Sequence, residues 1–209
     1  MKNTRLVWLC ACAGLALSAS AARAERIVWT EQFLATPPVV QAAPVGIPAW
    51  AGWAGVRLTA DPFPHRVTGS TDLVAASLRS FVIGPPGTLY SFHAAPYSVT
   101  LFIRDVASDV FGAATFTGML HGTLSRHSAH VTNTWTSPTT AALHLGHHVY
   151  DVSLRSFTPP GIPGSRPGAI GVHVRVHDNP EPSALLLSAL ALPALALGAR
   201  RRRAGPPAR

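Results

Sequence analysis

The sequence has only two cysteines among its 209 residues, and both, Cys10 and Cys12, stand near the amino end. A chain that begins after residue 24 has none, which excludes disulfide bonds, cysteine nucleophiles and thiolate metal sites. The motifs G-x-S-x-G and H-E-x-x-H, a glycine-rich phosphate loop and an EF-hand calcium loop are also missing. We therefore expect a protein that is not an enzyme and that uses no cofactor.

The first 24 residues have the three parts of a secretory signal peptide in order. A positively charged start, "MKNTR", precedes residues 6–19, which are almost wholly apolar or small, and Ala22 and Ala24 form the small-x-small pattern of a cleavage site. We predict that signal peptidase cuts after Ala24 during export. The alternatives are an uncleaved anchor helix and lipidation at Cys12.

Near the carboxyl end, residues 184–199 contain no charged side chain. As a helix this segment would be about 24 Å long, against a hydrocarbon core of about 30 Å. We predict a short transmembrane helix that occupies the inner membrane transiently. A basic cluster follows and would act as a stop-transfer signal on the cytoplasmic side: Arg200, Arg201, Arg202 and Arg203. The alternative, a buried helix with a solvated basic tail, would need a polar face that this segment lacks.

A short motif precedes the apolar segment: Pro180, Glu181, Pro182 and Ser183. The motif, the apolar segment and the arginine cluster together resemble the PEP-CTERM sorting signal of Gram-negative bacteria. The resemblance implies that a membrane-embedded exosortase recognises residues 179–209 and cuts near Pro-Glu-Pro. The body would then be released to the cell surface or the extracellular matrix.

The formal net charge of +8 comes mainly from the two ends of the chain. Between Glu25 and Asp178 there are nine basic and eight acidic side chains, so this body has a charge near +1. Its arginines are scattered singly, without a basic run or stripe. We therefore expect no nucleic-acid partner.

Residues 25–178 read as an all-β domain, because apolar side chains alternate with polar ones and glycine or proline clusters separate the segments. Three sets of side chains are each predicted to face the core: Val172, Val174 and Val176; Phe116, Leu120 and Leu124; Tyr150, Val152 and Leu154. We predict a single antiparallel β-sandwich, flanked by the signal helix and the short carboxy-terminal transmembrane helix, with a closed barrel as the alternative.

Two proline-rich stretches interrupt the strand pattern. Residues 36–48 read as an extended connection or an edge segment, and residues 158–168 as a long loop before the last strand. The body also resembles the β-sandwich domains that accompany this sorting signal, through "TEQF" and the pattern from Leu143 to Leu154. That resemblance supports the fold and implies no catalytic residues.

The ten histidines include two groups that are close in sequence. The first is His144, His147 and His148, and the second is His121, His127 and His130. A zinc or copper site needs three or four converging donors. If Gly146 and His147 form a hairpin turn, the first three rings diverge around its tip, so we expect solvated histidines. A metal site at the first group remains the alternative.

Asp105 and Asp109 are the only closely spaced acids in the body, and glycoside hydrolysis would need two convergent carboxylates. They stand beside Arg104 in a segment expected to be a loop, so we expect both to be solvated.

Four tryptophans remain after residue 24: Trp29, Trp50, Trp53 and Trp135. Trp50 and Trp53 lie in "PAWAGWAG", where the neighbouring side chains are too small to bury both rings. We expect a non-catalytic protein of the cell surface or extracellular matrix. The alternative is a module that binds extracellular polysaccharide through these tryptophans, or metal ions through the histidines.

Overall fold

The computed structural model describes residues 27–61 and 63–179. The predictions made for Ala22, Ala24, the Pro-Glu-Pro motif and the carboxy-terminal arginines fall outside these residues. Within them, no helix is long and apolar enough to cross a membrane. The transmembrane prediction concerns residues 184–199, which are not among them.

The described chain is all-β, with antiparallel strands and one short 3-10 helix at Ala49–Ala51. The strands are β1 (Val28–Thr36), β2 (Val39–Pro44), β3 (Trp53–Thr59), β4 (His65–Thr68), β5 (Thr71–Ile83), β6 (Tyr90–Asp105), β7 (Phe111–Leu124), β8 (Ala129–Trp135), β9 (Thr140–Leu145), β10 (His148–Thr158) and β11 (Gly168–Asp178). The predicted all-β class is confirmed.

The strands form one continuous sheet with two parts. Sheet A has the order β4-β1-β6-β7-β8, and sheet B has the order β2-β3-β5-β11-β10-β9. The end of β2 joins the two parts, since Ala43 and Pro44 pair with the beginning of β6. In the described chain, β4, β8 and β9 each pair with a single strand, so the sheet is open and is not a closed barrel.

The two parts of the sheet share one apolar core. Trp29 on β1 meets Tyr150 on β10 edge-on, with 5.8 Å between the ring centroids. The predicted inward residues of β7 and β11 are all buried, and of the β10 set Tyr150 and Val152 are buried and Leu154 is partly so. The period-two pattern therefore predicted these strand faces correctly.

The proline-rich segment 36–48 contains a regular strand, β2, at the outer side of sheet B, so of the two alternatives predicted for this segment the edge segment is confirmed. Val39–Ala42 pair with β3, and the first prolines of the segment precede the ladder. Pro44 closes the strand, where a missing N–H costs least. This strand carries the chain from sheet A to sheet B.

The strand directions place several turns together at one end of the molecule, which we call the Asn179 end. It contains the start of β1, the β6–β7 turn, the β9–β10 turn and the end of β11 at Asn179. The beginning of β6 and the residues around Val45 lie at the other end, here called the Val45 end.

Candidate functional site

The outer surface of β3 and β5 carries three aligned cross-strand pairs. Trp53 lies opposite Ile83, Gly55 opposite Phe81, and Arg57 opposite Arg79. Side chains two residues apart on a strand share a face, so the pairs form one stripe that runs from apolar to cationic. Because the strand rises about 3.3 Å per residue, Trp53 and Arg57 are separated by about 13 Å.

The apolar part of this stripe is an aromatic pair. The rings of Trp53 and Phe81 meet edge-on, with 4.7 Å between their centroids. Phe81 extends over Gly55, where an added Cβ would lie 3.1 Å from its Cζ atom. The same Cβ would lie only 2.4 Å from the carbonyl oxygen of Val40, so a glycine at this position leaves room for the β2 backbone as well as for the ring.

The cationic part lies beside an open depression of about 240 Å³. Arg57, Arg79 and Arg166 line it together with Phe81 and Ile162. Among the described residues, none of the three arginines forms an ion pair. Like charges directly opposite each other on neighbouring strands are destabilising, so this cluster costs the unliganded fold some stability.

The aspartates do not offset these charges, because most are paired with histidine. Of the six described aspartates, Asp109 pairs with Arg104, and the other five contact a histidine: Asp61, Asp72, Asp105, Asp151 and Asp178. The three arginines are thus left available for an external anion.

The loop after β10 holds the third arginine in place. Ser80 donates a hydrogen bond from its hydroxyl to the carbonyl of Gly161, which fixes the loop to β5. Within the loop, the hydroxyl of Ser165 donates to the carbonyl of Ile162 at 2.7 Å, and Gly164 adopts a φ of +82° that favours glycine. The loop predicted for residues 158–168 is confirmed, and its turns present Arg166 beside β5.

The tryptophans differ in exposure. Trp50 is 87% exposed and Trp53 is 43% exposed, as expected for their small neighbours. Trp29 is buried and donates its indole N–H to the carbonyl of Gly69 at 2.9 Å. Trp135 packs against Tyr97, with 5.9 Å between the ring centroids. Trp50 and Trp53 are therefore the two most exposed of the four tryptophans, since Trp135 is partly buried and Trp29 is fully buried.

The structure separates the first histidine group. Gly146 and His147 form the turn between β9 and β10, as predicted. His144 is exposed on β9, whereas His148 is mostly buried at the start of β10. His121, His127 and His130 of the second group are divided between β7, a turn and β8. The described residues contain no group of three His, Cys, Asp or Glu side chains able to hold a metal ion.

The expectation of a solvated Asp105 is wrong. Asp105 is fully buried at the end of β6, where it accepts hydrogen bonds from the Ser108 hydroxyl at 2.7 Å and the Ala107 N–H at 3.1 Å. His148 lies 2.9 Å away through Nδ1. Burial alone would raise the pKa of Asp105, but these hydrogen bonds outweigh it and lower the pKa. Asp109 is exposed, as expected, and pairs with Arg104.

These residues do not form a nucleophilic triad. The Ser108 hydroxyl and His148 Nδ1 both contact the same oxygen of Asp105, so no hydrogen bond from serine to histidine activates a nucleophile. Nε2 of His148 lies 3.7 Å from Asp178. The cluster joins the β6–β7 turn to the β10 and β11 strands at the Asn179 end.

Tyr150 lies beneath this cluster in the core. Its hydroxyl is buried near the Asp105 carboxylate without reaching hydrogen-bond geometry. Burial, and then the neighbouring negative charge, raise the pKa of Tyr150, so it stays neutral.

Sequence reasoning missed the arginine cluster, because its members stand singly at 57, 79 and 166. A usable signal was the period-two pattern W-x-G-x-R at residues 53–57 and R-x-F-x-I at residues 79–83. Pairing these segments in antiparallel register brings two of the three arginines together, but the loop position of Arg166 has no such signal.

Comparison of the chain with family models, curated proteins and solved structures finds no match.

Proposed function

We propose that this chain is an exported, non-catalytic β-sandwich protein that binds acidic polysaccharide at the cell surface or in the extracellular matrix. Residues 1–24 would be its signal peptide, and residues 179–209 its sorting signal, handled by an exosortase through a transient helix in the inner membrane. The observation that carries the binding function is a trio of arginines, Arg57, Arg79 and Arg166, that form no ion pair within the described residues and lie beside an exposed aromatic pair.

The chemistry of this face matches a polymer of uronic acid. A guanidinium group can hold a carboxylate through two parallel hydrogen bonds, which makes arginine well suited to such ligands. The exposed ring of Trp53 offers a flat apolar surface to the C–H face of a sugar. A repeating acidic sugar supplies both groups at intervals along the stripe.

A binding measurement with matched variants tests this proposal. Full-length protein in detergent would be titrated with polygalacturonate, neutral dextran and single-stranded DNA, with affinity followed by calorimetry. We expect binding to polygalacturonate, none to dextran and weaker binding to DNA. The site variant replaces Arg57, Arg79 and Arg166 with Gln.

The matched control replaces the exposed arginines Arg66, Arg155 and Arg175 with Gln, which removes the same charge elsewhere. Both variants keep the basic tail, so a difference between them reports on the β3–β5 face alone. We expect the site variant to lose more than about tenfold in affinity, since hydrogen bonds to charged groups contribute about 1.5 kcal/mol or more each. Equal losses in both variants would reject the site.

The sorting part of the proposal has a separate test. The intact mass of the protein from its native host would be measured in membrane and released fractions. A released form that starts at Glu25 and ends near Pro180–Ser183 is expected. A species that is only membrane-bound and keeps Arg209 would contradict removal of the tail.

A further inference from the structure

We propose that the Asn179 end of the body rests on the lipid surface of the inner membrane while the tail is still attached, with the β6–β7 turn in contact with the headgroup layer. This inference rests on the proposed export and sorting, and it concerns the orientation of the body. The surface consists of the β6–β7 turn and the shallow depression beside it.

The β6–β7 turn exposes apolar side chains and carries little net charge. Val106 is 43% exposed and Phe111, just after the turn, is 68% exposed. Asp109, the exposed acid of the turn, is paired with Arg104, whose guanidinium carbon also lies 5.0 Å from the centre of the Phe111 ring. An apolar turn with a paired acid is suited to the boundary between headgroups and acyl chains.

This turn is held rigidly against the rest of the end. The N–H of Val106 donates to the carbonyl of Val28 at 3.2 Å. Ser108 packs against Gly146 so closely that a Cβ there would lie 2.4 Å from the Cβ of Ser108. The exposed valine therefore has a fixed position relative to the point where the chain leaves the body.

A cation lies beside the turn. Arg66 lines a shallow depression of about 400 Å³ together with Val106, His148 and Asp178. Within the described residues Arg66 forms no ion pair. An arginine next to an apolar turn is suited to an anionic lipid headgroup. Each basic residue near the bilayer surface strengthens the electrostatic attraction to such lipids.

The chain path brings this end close to the bilayer. The N–H of Asn179 donates to the carbonyl of His147 at 2.7 Å, which ties the last described residue to the β9–β10 turn. Ala184, the first residue of the apolar segment, is five residues further on. A fully extended chain spans at most about 3.6 Å per residue, so the Asn179 end can lie no more than about 18 Å from the segment.

Exposed apolar residues also occur at the Val45 end, so exposure alone does not identify the end that contacts the membrane. The Val45 end is distant, because β6 extends over sixteen residues and so spans about 50 Å. A tail that leaves at Asn179 cannot hold the Val45 end against the bilayer while the body stands upright, and only a body lying on its side would bring both ends to the lipid. Val45 itself is 49% exposed and therefore provides a matched control for Val106.

The test uses two singly labelled proteins, one with an environment-sensitive fluorophore at position 106 and one with the same fluorophore at position 45. Val106→Cys and Val45→Cys are each labelled in the full-length chain after signal removal, which leaves no other cysteine. The labelled proteins are reconstituted in vesicles of phosphatidylethanolamine and phosphatidylglycerol, with and without a nitroxide-labelled lipid. Carbonate extraction reports separately whether the chain is inserted.

We expect the inserted chain labelled at Val106→Cys to be quenched by the nitroxide lipid at least about threefold more than the chain labelled at Val45→Cys. If the chain is inserted and both probes are quenched equally, the orientation is wrong although the sorting proposal stands. If carbonate removes the chain from the vesicles, the transmembrane prediction and this inference both fail, while polysaccharide binding at the β3–β5 face remains open to its own test.

Discussion

Replacing Arg79 with Gln should stabilise the free protein while it weakens ligand binding. Arg79 lies directly opposite Arg57 on the exposed face of an antiparallel pair, and Arg166 is in the same depression. No described carboxylate pairs with any of them. The three charges repel one another in the unliganded state, and the same charges attract an anion.

The size of the effect follows from the geometry. Directly opposite residues have Cβ atoms about 5 Å apart, and two charged side chains that splay to about 7 Å repel by about 0.6 kcal/mol in water. We therefore expect Arg79→Gln to raise the free energy of unfolding by about 0.5 kcal/mol at low salt. For a chain of this size that corresponds to a rise in Tm of about 1–2 °C.

Salt provides the control within the same experiment. At 1 M salt the Debye length is about 3 Å, so the repulsion is screened and the gain in stability should disappear. Urea unfolding of wild type, Arg79→Gln and the exposed Arg155→Gln would be measured at 0.01 M and 1 M salt. A loss of stability for Arg79→Gln at low salt, or a gain that salt leaves unchanged, would refute the electrostatic argument.

Three further outcomes are expected. Tyr150→Phe should change the unfolding free energy by less than about 1 kcal/mol in urea melts, since its buried hydroxyl makes no hydrogen bond. Asp105→Asn should cost about 2–3 kcal/mol at neutral pH. Because its folded pKa is lowered, Asp105 stabilises the fold above its unfolded pKa of about 3.9. That contribution is lost as pH falls through the folded pKa, so Asp105→Asn should flatten stability curves recorded below about pH 4. Ser80→Ala should weaken polygalacturonate binding in calorimetry, because Ser80 anchors the loop that carries Arg166; unchanged affinity would contradict this role.

The sequence predicted the features that local alternation determines. The inward faces of β7 and β11, with Phe116 and Val174 as examples, follow from period-two patterning in half-buried antiparallel strands. The turn at Gly146 and His147 likewise follows from a short polar interruption between two such patterns.

Features that depend on long-range register could not be predicted in the same way. Asp105 looked like a loop residue, and its burial depends on His148, which is 43 positions away. The prolines around Val39–Pro44 left an extended connection and an edge segment as alternatives, and only the pairing with β3 and β6 decides for the strand. The arginine cluster requires both the β3–β5 register and a loop that is anchored 81 positions from Ser80.

Hydrogen–deuterium exchange with and without polygalacturonate tests most directly whether the β3–β5 face is the ligand site. Full-length protein would be compared with the same protein in neutral dextran, with peptides covering the whole body. We expect slower exchange in residues 53–57, 79–83 and 161–166 with the acidic polymer alone. Protection confined to residues outside these three segments, for example the basic tail, would contradict it.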